Sequence, residues 1–160
     1  MIISTLCYVE KGDAFLMLHR TKKKNDVNHN KWIGVGGKLE KGESPEECLL
    51  REVKEETGLS LTSFRYRGLL SFIYEDREPE YIFTYTADGY EGSLTDCNEG
   101  DLRWVRKSDI PGLELWEGDR YMLDLLLKDE GRCFSLKFCY DRDDRLVSAL
   151  SLLPSLKKLK

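Results

Sequence analysis

The segment from Gly36 to Leu59, GGKLEKGESPEECLLREVKEETGL, constrains this chain more than any other. Ser44 suits a helix N-cap, Pro45 the first helical position, and Glu47 closes a capping box. Gly58 is placed to stop the helix in a left-handed turn. Within it, Leu49, Leu50 and Val53 are expected to pack on a core. Arg51, Glu52, Glu55 and Glu56 stand at i, i+1, i+4 and i+5, so at 100° per residue they share an arc of about 140°. Carboxylates that close repel one another. The spacing thus predicts a helix anchored on one side and charged on the other.

From the residues alone two readings of the acidic face stay open. One is a solvated surface, the usual state of an acidic helix face. The other is a cation site. Several glutamate oxygens on one face suit Mg²⁺ or Mn²⁺ better than zinc, which prefers nitrogen and sulfur. The Gly36-Gly37 turn leaves backbone bare, open to a carbonyl ligand or the close approach of a phosphate. Arg51 lies one turn from both Glu47 and Glu55 and is expected to pair with either. Glu43, just ahead of the helix, is expected to orient the acids from behind.

The other segments read as one α/β domain with a mixed sheet, spanning residues 1–153, followed by a frayed basic tail at 154–160. Strands are expected at 2–9 and 14–19 as a hairpin, at 32–39, and at 64–74 paired with 80–88. Further strands are expected at 102–105 and in a closing hairpin of 133–140 with 146–150, and a second helix at 115–128. The polar stretch 21–31 reads as a binding loop. No run approaches the roughly 18 apolar residues of a membrane span. MIISTLCYVE lacks a basic region before an apolar core, so no secretory signal is expected. Five cysteines, odd in number and without a CxxC pair, read as reduced thiols in a cytoplasm. A net charge of −4 argues against binding a nucleic-acid polymer. His19 and His29 have no partners at metal-ligand spacing.

The pattern Gly37-x5-Glu43-x7-Arg51-Glu52-Val53-x-Glu55-Glu56-x-Gly58-Leu59 matches the box that defines the Nudix hydrolases at every specified position. The resemblance implies a Nudix fold, a mixed sheet sandwiched between helices. It implies hydrolysis of a nucleoside diphosphate linked to another moiety, with Mg²⁺ held by Glu52, Glu55 and Glu56 and a carbonyl of Gly36 or Gly37. Arg51 and Glu43 then orient these ligands, with Glu47 beside them.

LMLHR, NKWIGVGGKLE, DCNEGDLRWV and ELWEGDRYMLDLLL further resemble the MutT-type branch, which removes oxidised purine nucleotides such as 8-oxo-dGTP. That resemblance makes Glu99 a further acid serving the metal or the attacking water. Trp116 and Asp119 become the aromatic and acid that hold the base, with Trp32 beside them. Arg20, Lys23 and Lys38 are expected to neutralise the triphosphate. Two positions depart from the branch: Ile33 stands where mammalian members carry a base-reading Asn, and Gly118 where they carry a second acid. Asn28 and Asn30 are the candidates to replace the missing amide.

The expected function is Mg²⁺-dependent pyrophosphohydrolysis of a small nucleoside triphosphate by a cytoplasmic monomer or homodimer. The alternatives are a Nudix hydrolase of ADP-ribose, dinucleoside polyphosphates or RNA 5′ ends, and a nucleotide-sensing module without turnover.

Overall fold

A computed structural model describes residues 1–160. Strands β1 (Ile2–Lys11) and β2 (Ala14–His19) turn back at Gly12. After a long loop, β3 (Trp32–Ile33) leads into helix α1 (Pro45–Thr57). Strands β4 (Ser60–Tyr74), β5 (Glu80–Glu91) and β6 (Asp101–Arg106) precede helix α2 (Glu117–Lys128). Strands β7 (Phe134–Tyr140), β8 (Leu146–Leu153) and β9 (Lys157–Lys158) close the chain.

The strands lie in the order β3-β2-β1-β5-β4-β7-β8-β9, with β6 on the other edge of β2. Parallel pairs β1–β5 and β4–β7 alternate with antiparallel ones, giving the mixed sheet expected. β1 holds β2 only through Glu10–Phe15 and Lys11–Ala14, so the sheet splits there and opens a cleft.

Alternation along β1 sends its side chains into two cores. Cys7 and Val9 join Leu49 and Val53 of α1, while Tyr8 joins Met122, Leu123 and Leu126 of α2. Period-2 strands between two 3.6-period helices thus give the helix–sheet–helix layering. Each fully buried Leu or Val contributes roughly 1.5–3 kcal/mol to holding a helix on its face.

Four expectations need correction. The stretch 32–39 is not one strand. After Ile33 only isolated bridges remain, Val35 to Cys7 and Lys38 to Ser4, because Gly34, Gly36 and Gly37 bend the chain against β1. Leu50 does not reach the core and stays 40% exposed, being on the flank of α1 beyond the arc that Leu49 and Val53 share. Trp116 caps α2 rather than lying within it, since the helix begins at Glu117. The tail is not frayed: β9 pairs with β8, Leu159 packs on the α2 core, and Lys160 Nζ reaches Glu117 at 2.6 Å.

Candidate active site

Helix α1 enters through a turn welded to β1. Gly36 has φ +154°, and a Cβ there would stand 2.1 Å from the Thr5 carbonyl, so only glycine fits. Its N–H donates to Glu56 Oε2 at 2.8 Å, and its carbonyl takes no backbone donor. The Gly37 carbonyl, by contrast, accepts from Thr5 N–H at 2.9 Å and from the Cys48 thiol at 3.4 Å. A Cβ on Gly37 would lie 2.4 Å from the Glu52 carboxyl carbon. Gly37→Ala is therefore expected to push the Glu52 carboxylate aside. Because only a flexible side chain must yield, the melting temperature should stay within a few degrees while kcat/KM falls about tenfold to a hundredfold. A loss of fold with unchanged activity per folded molecule would contradict it.

Arg51 is the hub of the acidic face. Its Nε and Nη2 donate to both oxygens of Glu43 at 2.6 and 2.9 Å, and its Nη1 to Glu52 at 2.6 Å and Glu55 at 3.3 Å. Hydrogen bonding to Arg51 and to the Glu40 N–H holds Glu43 down at about 2. Glu43 and Arg51 thus act as a strut that sets the Glu52 rotamer. Glu47 does not share this work: it accepts from Ser44 N–H in the capping box, which turns it away from Arg51. Glu55 is 61% exposed at the outer edge of the acidic face, where it shares the Arg51 Nη1 with Glu52.

A further acid joins Glu52 and Glu56 from the loop before β6. Glu99 stands within hydrogen-bonding reach of Glu56. Burial, then the Glu99 carboxyl, push Glu56 up to about 9 against the pull of Gly36 N–H. For Glu99 burial acts upward too, but Lys23, the hydrogen bond with Glu56 and Arg20 together hold it below the usual range. Two carboxyls in contact, with Glu52 adding repulsion, keep one proton between them. Arg20 also grips Asp26 Oδ2 at 2.6 Å, so it braces Glu99 while itself lining the cavity. Lys23, 57% exposed, and Lys38 remain at the cavity rim.

From these acids a cavity of about 1000 Å³ runs between the two halves of the sheet. Its wall also carries Leu6, Leu70, Phe72, Ile82, Trp116 and Asp119, with Glu80 paired beside Phe72. Asp119 is buried, and burial pushes it up to about 7, opposed by Lys31. The Tyr8 hydroxyl, also buried, has no hydrogen-bond partner. Trp116 is only 2% exposed, its edges held by Phe72 and Tyr140 and its ring covered by Lys31 at 5.2 Å. It is a wall more than an open platform; Phe72, half-buried, lines the same cavity and stacks on Tyr140 at 5.0 Å.

Trp32 does not line the cavity. It stacks on His19 at 4.4 Å because β3 pairs with β2 and turns its side chain to that face. Asn28 does line it, whereas Asn30 turns out to His19 Nε2 at 3.1 Å. Phe72 and Asp26 escaped sequence reasoning. Phe72 carries no local signal beyond strand alternation, and Asp26 none beyond its place in the polar loop.

A family model described as NUDIX domain matches residues 2–126. The chain is 33% identical over 149 residues to an uncharacterized Nudix hydrolase of Bacillus subtilis, YvcI, covering 90% of each. It is 34% identical over 130 residues to the oxidized purine nucleoside triphosphate hydrolase of Mus musculus, covering 80% of this chain and 82% of that protein. Its fold superposes on the crystal structure of a mutator MutT protein from Bacillus halodurans with a TM-score of 0.83 and 29% identity, over 94% and 97% of the two chains. That span reaches beyond the matched domain. With the acidic helix, its glycine turn and the cleft they border, these likenesses establish that the chain belongs to the Nudix hydrolase family.

Proposed function

We propose that this hydrolase cleaves a nucleoside triphosphate between its α and β phosphates, releasing a monophosphate and pyrophosphate, with oxidised purines such as 8-oxo-dGTP as substrates. One observation carries the reading. One cleft is lined both by the paired carboxyls and by a set of apolar and aromatic side chains with a buried acid among them. This combination suits a molecule with a charged chain on one side and a base on the other. The likeness to the mouse oxidized purine nucleoside triphosphate hydrolase supports the same substrate class.

The chemistry of the donors suits a divalent cation. Glu56 and Glu99 face each other and retain a proton that a cation would displace, and all the available atoms are hard oxygens. Glu52, Glu56 and Glu99 would hold Mg²⁺, or Mn²⁺ in its place. The Gly36 carbonyl would complete the set rather than that of Gly37, which Thr5 and Cys48 already occupy. Bound there, the ion would neutralise phosphate oxygens and acidify water.

The chain supplies the rest. Lys23 and Lys38 bring positive charge to the phosphate chain, while Arg20 and Asp26 keep Glu99 aimed. The carboxylates accept the proton of the attacking water as a coupled set. Glu55, bound to Arg51 at the outer edge, adds negative charge and steadies that residue. Elsewhere in the cleft Phe72 and Trp116 enclose the base and Asp119 meets its polar edge. Removing oxidised nucleotides from the precursor pool would protect DNA synthesis in the cytoplasm.

A substrate panel tests the reading: 8-oxo-dGTP, dGTP, other triphosphates, dinucleoside polyphosphates and ADP-ribose, with Mg²⁺ and products identified. The expected result is the highest kcat/KM for an oxidised purine triphosphate, with pyrophosphate as product. ADP-ribose leading the panel would overturn the substrate and leave the metal site standing. Tight nucleotide binding without any product would instead favour a sensor.

A further inference from the structure

We infer that Asn28 is the base-reading amide of this chain, a donor-only contact that selects bases carrying a carbonyl rather than an amino group on the edge it meets. This rests on reading the cavity as a nucleotide site. Trp116 fixes the orientation of this amide. Its indole Nε1–H can only donate, so the Asn28 atom 2.8 Å away must be the carbonyl oxygen. The side-chain NH₂ lies on the other side of the amide from the indole and makes no hydrogen bond within the chain. Asn28 forms part of the cavity wall, in company with Phe72, Trp116 and Asp119.

The rest of Asn28 is immobilised. Its backbone N–H donates to Asp26 Oδ1 at 3.1 Å, and its carbonyl accepts from Lys31 N–H at 2.9 Å. With Oδ1 taken by Trp116, the side chain has only its two N–H donors left for the cavity it lines, in an orientation that cannot flip without breaking that bond. Opposite an amino group such a donor leaves two unpaired N–H groups facing each other; opposite a carbonyl it makes a hydrogen bond. Discrimination of this kind is large where the bound base shuts water out of the contact. Ile33, also on the wall, supplies no polar atom from its side chain, so the amide function falls to the loop.

Inosine and adenosine monophosphates differ in this one group and its ring proton, which makes them clean probes. Calorimetric binding of each should be measured for the wild type, Asn28→Asp and Trp116→Phe. Asn28→Asp keeps an oxygen for the indole N–H but replaces the donor by an acceptor. The wild type is expected to bind the inosine form at least tenfold more tightly, and Asn28→Asp to abolish or reverse that preference. Trp116→Phe, which frees the amide to rotate, should reduce the preference several-fold. An unchanged preference in Asn28→Asp would overturn the assignment, as would a wild type that binds both alike or neither. Hydrolysis of the corresponding triphosphates separates the two ideas. Preference governed by residue 28 with no turnover would remove the proposed function alone; turnover with a preference indifferent to residue 28 would remove this inference alone.

Discussion

Glu56→Gln is expected to lower Mg²⁺-dependent turnover by on the order of 10³-fold while making the metal-free protein more stable. Glu56 is buried against Glu99 and pushed up to about 9, so the folded protein binds a proton that the unfolded chain releases near its ordinary value. The sign follows from linkage: where the native state holds more protons, stability falls as pH rises. This loss begins above the unfolded pKa, between pH 4 and 5, and is complete only above about 9. Glutamine carries no proton to bind or lose, and its amide can donate to Glu99. The variant should therefore match the wild type near pH 4 and exceed it by roughly 2 kcal/mol or more at pH 8 without metal. Added Mg²⁺ should stabilise the wild type in proportion to ln(1 + [Mg²⁺]/Kd) and the variant far less. Thermal melts from pH 5 to 9, with EDTA or with Mg²⁺, check the stability arm; pyrophosphate release checks the other. Equal turnover in both proteins would remove Glu56 from the chemistry.

Asp119→Asn probes a second buried acid of the cleft. Burial raises this carboxyl to about 7, against the pull of Lys31. The same linkage applies over a different window: Asp119 costs nothing below about pH 4, and its penalty grows until about pH 7. Relative to Asp119→Asn, the wild type should lose roughly 3 kcal/mol across that window, an upper range given full burial. Function should register the same group. Protonated, Asp119 can donate to the base and accept from it; ionised, it only accepts. The wild-type kcat/KM for a purine triphosphate should thus pass through an inflection near pH 7 that Asp119→Asn lacks. Parallel pH profiles for the two proteins would show that Asp119 does not titrate in the cleft.

The contrast between these two acids explains what was legible beforehand. Glu56 belongs to a local pattern: a cap, a helix, a glycine stop and a charge register, all within 24 residues. Helical geometry converts that spacing into a face. Even so, the helix positions Glu52 and Glu56 on the cavity wall, and leaves Glu55 with Arg51 at the outer edge. Glu99 joins them because β6 pairs with β2, a contact made across more than eighty residues. Asp119 was found by resemblance, but its environment was not: only the packing of α2 beneath the sheet makes its burial, and hence its charge state, definite.

Trp32 and Glu47 mark the opposite limit. Both stand beside residues of the site in sequence, and both turn away for reasons of hydrogen bonding. β3 pairing with β2 carries Trp32 onto His19, and the capping box holds Glu47 at Ser44. The tail likewise reads as basic and unstructured, yet the exposed edge of β8 gives its backbone a ladder to join.

The sequence alone determined the acidic helix, its glycine turn, the mixed α/β layering and membership of the hydrolase family. These depend on interactions within a few residues of each other, where spacing dictates geometry. The tertiary structure decided which carboxylates meet, which aromatic rings line the cleft, and that Trp116 holds the Asn28 carbonyl oxygen. Those outcomes depend on side chains distant in sequence meeting at the split between β1 and β2, and no local spacing encodes that meeting.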